Sequence, residues 1–184
     1  VMSITRKAAL LISSGVIGAG ALYVFACAPA NRSAGGVAGA GDAPQRVYVA
    51  PGKYDDYYAF LSGGFSGQLA VYGLPSGRLL KVIPVFSQNA ENAYGYSEET
   101  KPMLNTSYGF VPWDDSHHPE LSMTNGVPDG RWIFINGNNT PRIARISLTD
   151  MHTSEIIEIP NGAGNHASPF TTQNSEYVVS ATRF

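Results

Sequence analysis

Tyr58-Ala59-Phe60-Leu61 returns 74 residues later as Trp132-Ile133-Phe134-Ile135, and that recurrence decides the fold. Around it, Leu69-Ala70-Val71 returns as Ile143-Ala144-Arg145 at the same offset, and Val82-Ile83-Pro84 as Glu158-Ile159-Pro160 at an offset of 76. Each run is short, rich in β-branched and aromatic residues, and bounded by Gly, Pro or Asn, which is the pattern of a strand. Strands are read at 57–62, 68–74, 78–86, 131–136, 142–148, 154–160 and 177–182. Leu74-Pro75-Ser76-Gly77-Arg78 and Val127-Pro128-Asp129-Gly130-Arg131 set Pro and then Gly ahead of a strand, as tight turns require. A third copy opens at Tyr177-Val178-Val179, 45 residues after Trp132. That interval is the length of a four-stranded propeller blade, about 40–50 residues. The expected fold is therefore all-β, the first blades of a β-propeller, with residues 87–127 as a long loop loaded into the first interval.

Composition agrees. The 184 residues include 20 Gly, 12 Pro and 10 Tyr, and only 14% are charged, which suits a strand-rich chain with many turns. Net charge is -2 and Lys/Arg runs are lacking, so the electrostatic footprint of a nucleic-acid binder is missing and no nucleic acid is expected as partner.

Arg6-Lys7 precedes an uncharged apolar stretch from Ala8 to Asn31, which reads as a signal peptide or membrane anchor over residues 1–30 and predicts export to the periplasm. A twin-arginine pair is lacking, which favours the Sec route. Val24-Phe25-Ala26-Cys27 resembles a loose lipoprotein box, so Cys27, the single cysteine, either receives lipid or is an ordinary apolar residue of the signal. One cysteine excludes an intrachain disulfide and a thiolate-only metal site. Residues 31–45, rich in Gly, Ala and Ser, read as a flexible linker, and residues 46–184 as the propeller part. The opening Val1-Met2 and the stop at Phe184 inside a strand-like run suggest an incomplete reading frame.

Four histidines carry the chemical signal. His117 and His118 are adjacent, between Trp113-Asp114-Asp115-Ser116 and Pro119, and His166 follows Asn161-Gly162-Ala163-Gly164-Asn165. Neighbours on a flat strand point to opposite faces, so the pair reaches one site only from a bent backbone or by meeting different ions of a cluster. A bent loop is expected there. Asp115 and Asp114 offer carboxylates that could accept an N–H from a metal-bound imidazole and fix its tautomer. His152, flanked by Asp150 and Thr153, reads as a solvent-facing turn residue. Histidines that share a site without thiolates favour copper or zinc over calcium or magnesium, and the residues alone leave copper and zinc both open.

Asp115-Ser116-His117-His118, then Leu121-Ser122-Met123-Thr124-Asn125-Gly126, Asp129 to Asn136, Arg142 to Ile146 and Glu155 to Asn161 resemble the nitrous oxide reductase family, over about Tyr48 to Phe184. The resemblance implies a seven-bladed propeller whose hub holds a tetranuclear copper-sulfide cluster ligated by histidines. It also implies a C-terminal cupredoxin-like domain with a dinuclear copper site for electron entry, and calcium in the full-length protein. The implied reaction is two-electron reduction of nitrous oxide to dinitrogen and water, in a head-to-tail homodimer supplied by a periplasmic or membrane electron donor. On that resemblance His117, His118 and His166 match copper ligands, Asp115 supports one of them, and His152 has no counterpart. The Sec-like start resembles the Sec-exported branch. The cysteine-bearing copper domain does not occur within these residues, so this chain alone is expected to be inactive.

Two other readings start from the same residues. A non-catalytic exported propeller lipoprotein would bind a partner through its blade loops, with the histidines incidental. A hydrolase would use Asp114, Asp115 or Glu120 as general acid and base, but adjacent aspartates do not by themselves give the facing separation that such chemistry needs.

Overall fold

In the middle strand of the first sheet, buried residues alternate with half-buried ones. In the computed structural model, which describes residues 41–166 and 169–183, β1 (Tyr57–Ser62), β2 (Gln68–Leu74) and β3 (Leu79–Pro84) form an antiparallel meander. Leu69 and Val71 point inward from β2, and Ile83 does so from β3. Its turn at Leu74 to Arg78 is built on Asp55. The Asp55 carboxylate accepts from Ser76 N, Ser76 Oγ and Arg78 NH2 at 2.9, 2.9 and 2.7 Å, which outweighs the desolvation that would raise its pKa and holds it low.

The second sheet has four strands in the order β6 (Ser116–Thr124), β7 (Val127–Gly137), β8 (Arg142–Ser147) and β9 (His152–Glu158). The repeat maps onto the topology, since β1, β2 and β3 correspond to β7, β8 and β9. What the repeat does not contain is β6, which occupies part of the region expected to be loop. Asn125 and Gly126, with φ of 54° and 75°, make the two-residue turn that joins β6 to β7. Asp129 is drawn into the same hairpin, accepting from Ser122 Oγ at 2.5 Å and pairing with Arg131 at 2.6 Å, so its carboxyl is held far below the usual range.

Between the sheets lies the core: Leu69, Val71, Ile83, Val85 and Phe86 meet Ile133, Ile135, Ala144 and Ile146, all fully buried. Burial of each such side chain stabilises by about 1.5–3 kcal/mol. The remaining elements are small: one helical turn α1 (Ala43–Arg46), at the end of the segment read as linker, a 3-10 turn (Lys101–Leu104), the hairpin β4 (Asn105–Thr106) with β5 (Gly109–Phe110), and the hairpin β10 (Phe170–Thr171) with β11 (Val178–Val179). The last pair sits where the third copy was expected to open. The N-terminal apolar run and Cys27, read as export signal and lipidation position, lie outside the described residues.

Candidate metal centre

Two adjacent aspartates divide the work of holding the site. Asp114 is fully buried, and its N–H donates to Phe86 O at 2.7 Å. Its carboxylate accepts from Asp115 N at 2.7 Å, Asn139 N at 2.9 Å, Thr140 N at 3.0 Å and the Thr140 hydroxyl. Arg142 completes the set at 3.5 Å, itself fully buried, stacked 5.0 Å over the Phe86 ring, and made less basic by burial. Gly137 is required here, because a Cβ would stand 2.4 Å from Asp114 Oδ2. Asp114 is thus a staple between loops, committed to donors on every side.

Asp115 faces the other way. Its Oδ2 lies 2.9 Å from His117 Nε2. With the Nε2 proton shared with the carboxylate, the lone pair left for a metal is on Nδ1. The expected supporting role of Asp115 therefore has its contact. Asp114, one of the acids of the hydrolase reading, is committed to its donors and to Arg142.

His117 sits on β6 in register with Asn136 of β7, just after Ser116, whose N–H and hydroxyl donate to Gly64 O and Gln68 O at 2.9 Å each. The ladder then slips between His117 and Glu120, and His118 adopts φ of 51°. This β-bulge, rather than the bent loop read from the sequence, is how two neighbours face one point: the inserted residue breaks the alternation of sides. A bulky residue at positive φ costs about 1–3 kcal/mol and persists only where its surroundings fix it, which is typical of functional positions.

His166 arrives from the loop after β9. Arg183 N donates to Gly164 O at 2.8 Å, Ser180 Oγ to Asn165 Oδ1 at 2.6 Å, and Asn136 Nδ2 to Asn165 O. The three rings converge with centroids 5.4 Å (His117 to His118), 4.7 Å (His117 to His166) and 5.1 Å (His118 to His166) apart. One nitrogen from each lies within 4.8 Å of the others. Two nitrogens on opposite sides of one ion, each about 2.0–2.1 Å away, are at most about 4 Å apart. The spacing therefore suits several ions sharing the rings, or one ion after a small contraction. Partial burial, and then the neighbouring His166 and His117, lower the pKa of His118 and favour the neutral ring that a metal needs. An all-imidazole donor set fits copper or zinc. His152 is elsewhere, exposed at the start of β9 and paired with Asp150 at 2.9 Å.

No protein-family model matches the chain. Among curated proteins it is similar to the nitrous-oxide reductase of Stutzerimonas stutzeri, 36% identical over 146 residues, 75% of this chain and 23% of the relative. Similarity to that of Pseudomonas fluorescens is 38% over 150 residues, 77% and 23%, and to that of Cupriavidus necator 37% over 142 residues, 76% and 22%. The chain is homologous to nitrous-oxide reductase. It spans about a quarter of the length of the curated relatives it matches.

Sequence reasoning picked out all three converging histidines of this nitrous-oxide reductase homologue, and Asp115. It missed Asn136, Asn138 and Asn165, which tie the histidine-bearing segments together. Their only sequence signal is the density of Asn and Gly in Asn136-Gly137-Asn138-Asn139, which reads as a turn and not as a scaffold.

Proposed function

We propose that His117, His118 and His166 supply part of the all-histidine ligand set of the copper-sulfide cluster of a nitrous-oxide reductase, and that this chain is an N-terminal stretch of that enzyme. The observation that supports it is the convergence of three histidines from two separate segments, in a chain homologous to enzymes of that name. On this reading the two sheets are neighbouring blades of a seven-bladed propeller, and the histidines stand at its hub. A C-terminal cupredoxin-like domain holds a dinuclear copper site, calcium is bound in the full-length protein, and a homodimer brings each cluster close to its partner's electron-entry site. The protein works in the periplasm.

When bound, the cluster supplies the electrons and the Lewis acidity for reducing nitrous oxide to dinitrogen and water. The chain's own residues present three neutral nitrogens, and Asp115 keeps the His117 proton on Nε2 so that Nδ1 remains free. The strained backbone at His118 holds its ring against the other two.

Single replacement of His117, His118 or His166 by Ala in the full-length protein tests the reading. Copper per subunit and the visible absorption of each centre are measured. The cluster's copper should be lost and the dinuclear site's copper kept. Full copper and full nitrous oxide turnover in His117→Ala and His118→Ala would remove the assignment and leave a partner-binding propeller as the better reading.

A further inference from the structure

The loop that follows β7 touches the histidine site at a point that neither the ligand assignment nor the Asp115 contact explains. Asn138 Nδ2 donates to Asp115 Oδ2 at 3.1 Å, the same oxygen that accepts from His117 Nε2 at 2.9 Å. The Asn138 N–H also donates to Asp115 O at 2.8 Å, so main chain and side chain of one residue grip Asp115 at both ends. The other carboxylate oxygen, Asp115 Oδ1, is buried and has no hydrogen-bond partner among the described residues. Among the described residues, Asn138 Nδ2 is therefore the side-chain amide that holds the carboxylate in its orientation toward the imidazole.

Two residues earlier, at the end of β7, Asn136 is fully buried and donates from Nδ2 to the carbonyl of Asn165, the residue before His166. Between them Gly137 leaves the space that Asp114 Oδ2 fills. One tripeptide, Asn136-Gly137-Asn138, therefore reaches the His117 side of the site through Asp115 and the His166 side through Asn165.

We propose that Asn138 is a positioning residue for the metal centre, acting on His117 through Asp115, with Asn136 as the matching tie to the His166 loop. This rests on the assignment of His117 and His166 as ligands. The donor on Asn138 does two things. It fixes the plane in which the carboxylate meets His117, and it draws charge from the shared oxygen, which limits how strongly the carboxylate polarises the imidazole. Without it the carboxylate is free to turn, and the His117 ring loses its fixed tilt and tautomer.

The test is made in the full-length, copper-loaded protein with Asn138→Ala, which removes the donor, and with Asn138→Asp, which keeps the size of the side chain but sets a second carboxylate against Asp115 in place of the donor. Both retain the backbone N–H bond to Asp115, and Asn138→Asp also keeps an acceptor for Arg183 Nη1, which donates to Asn138 Oδ1 at 3.4 Å, so a purely architectural role would show in the melting temperature and not in the absorption band. The measurements are the rate at which a chelator strips cluster copper, the position of the cluster's visible absorption, and the melting temperature. Expected are copper retention about 10- to 100-fold weaker, the usual size of an outer-shell effect, a shifted absorption band, and little change in melting. Asn138→Gln should recover part of the retention. Asn136→Ala should weaken retention as well.

His117→Ala and His166→Ala run beside them. If those two keep their copper, the ligand assignment itself falls. If they lose copper while Asn138→Ala and Asn138→Asp keep the retention and absorption of the unchanged protein, the ligand assignment stands and the positioning role is overturned.

Discussion

Replacing Asp114 with Ala should damage the fold rather than the metal chemistry. The Asp114 carboxylate is the counter-charge of a fully buried guanidinium and the acceptor for three main-chain N–H groups and a hydroxyl. Breaking a buried ion pair from one side costs about 3–5 kcal/mol, because the remaining charge is stranded. Each buried donor left without an acceptor costs about 1–3 kcal/mol more if water cannot reach it. These losses share one site and do not add, so about 3–5 kcal/mol is the expected total. At about 2–4 °C per kcal/mol for a folding unit of 150–250 residues, melting should fall by roughly 6–20 °C. Asp114→Asn, which keeps the volume and one acceptor, should fall between the variant and the unchanged protein. Calorimetry of the metal-free full-length protein reads this without interference from copper. An Asp114→Ala melting point within about 2 °C of the unchanged protein would show that the Asp114 and Arg142 staple carries no stability.

Gly137→Ala should destabilise through the same staple, since its Cβ would press to 2.4 Å on Asp114 Oδ2; soluble yield and melting temperature report it, and an unchanged melt would contradict the contact. Burial pushes the Tyr94 hydroxyl up from 10.0 to about 12, while it donates to Val85 O at 3.0 Å. A raised folded pKa means that its contribution is complete below pH 10 and fades as the pH rises through about 12. Alkaline unfolding of Tyr94→Phe should accordingly be less steep over that interval than that of the unchanged protein. His152→Ala removes only an exposed pair with Asp150, so copper content should not change and stability should move by less than about 0.5 kcal/mol, read by metal analysis and melting.

β1 and β2 span the residues that the apolar pattern marks, and β2 was legible because its inward positions alternate, with Leu69 and Val71 buried between half-buried neighbours. The third strand stops at Pro84 instead of Phe86, since Val85 N and Phe86 N both turn to Gly67 O. β6 escaped the reading because Ser116 to Thr124 offers little apolar alternation and contains Pro119. Its pairing comes from the Asn125-Gly126 turn and the ladder with β7, and Asn-Gly between two strands was the available clue. The site divides in the same way. Histidines and an adjacent aspartate announce metal chemistry by residue type, whereas Asn136, Asn138 and Asn165 act through contacts 23 to 29 positions away along the chain, which no local pattern encodes.

His118 and His166 are 48 positions apart in the chain, yet their rings stand 5.1 Å from each other. A metal gripping both would close a loop of that length, and a cross-link of this span removes chain entropy from the unfolded ensemble worth about 4 kcal/mol. Metal loading would then act as a late fastening of the polypeptide, after β7, β8 and β9 are in place. Before it, the segment bearing His166 is already held beside His117 and His118 by three anchors, Asn136, Ser180 and Arg183, so this part of the site is shaped by the chain ahead of the ion.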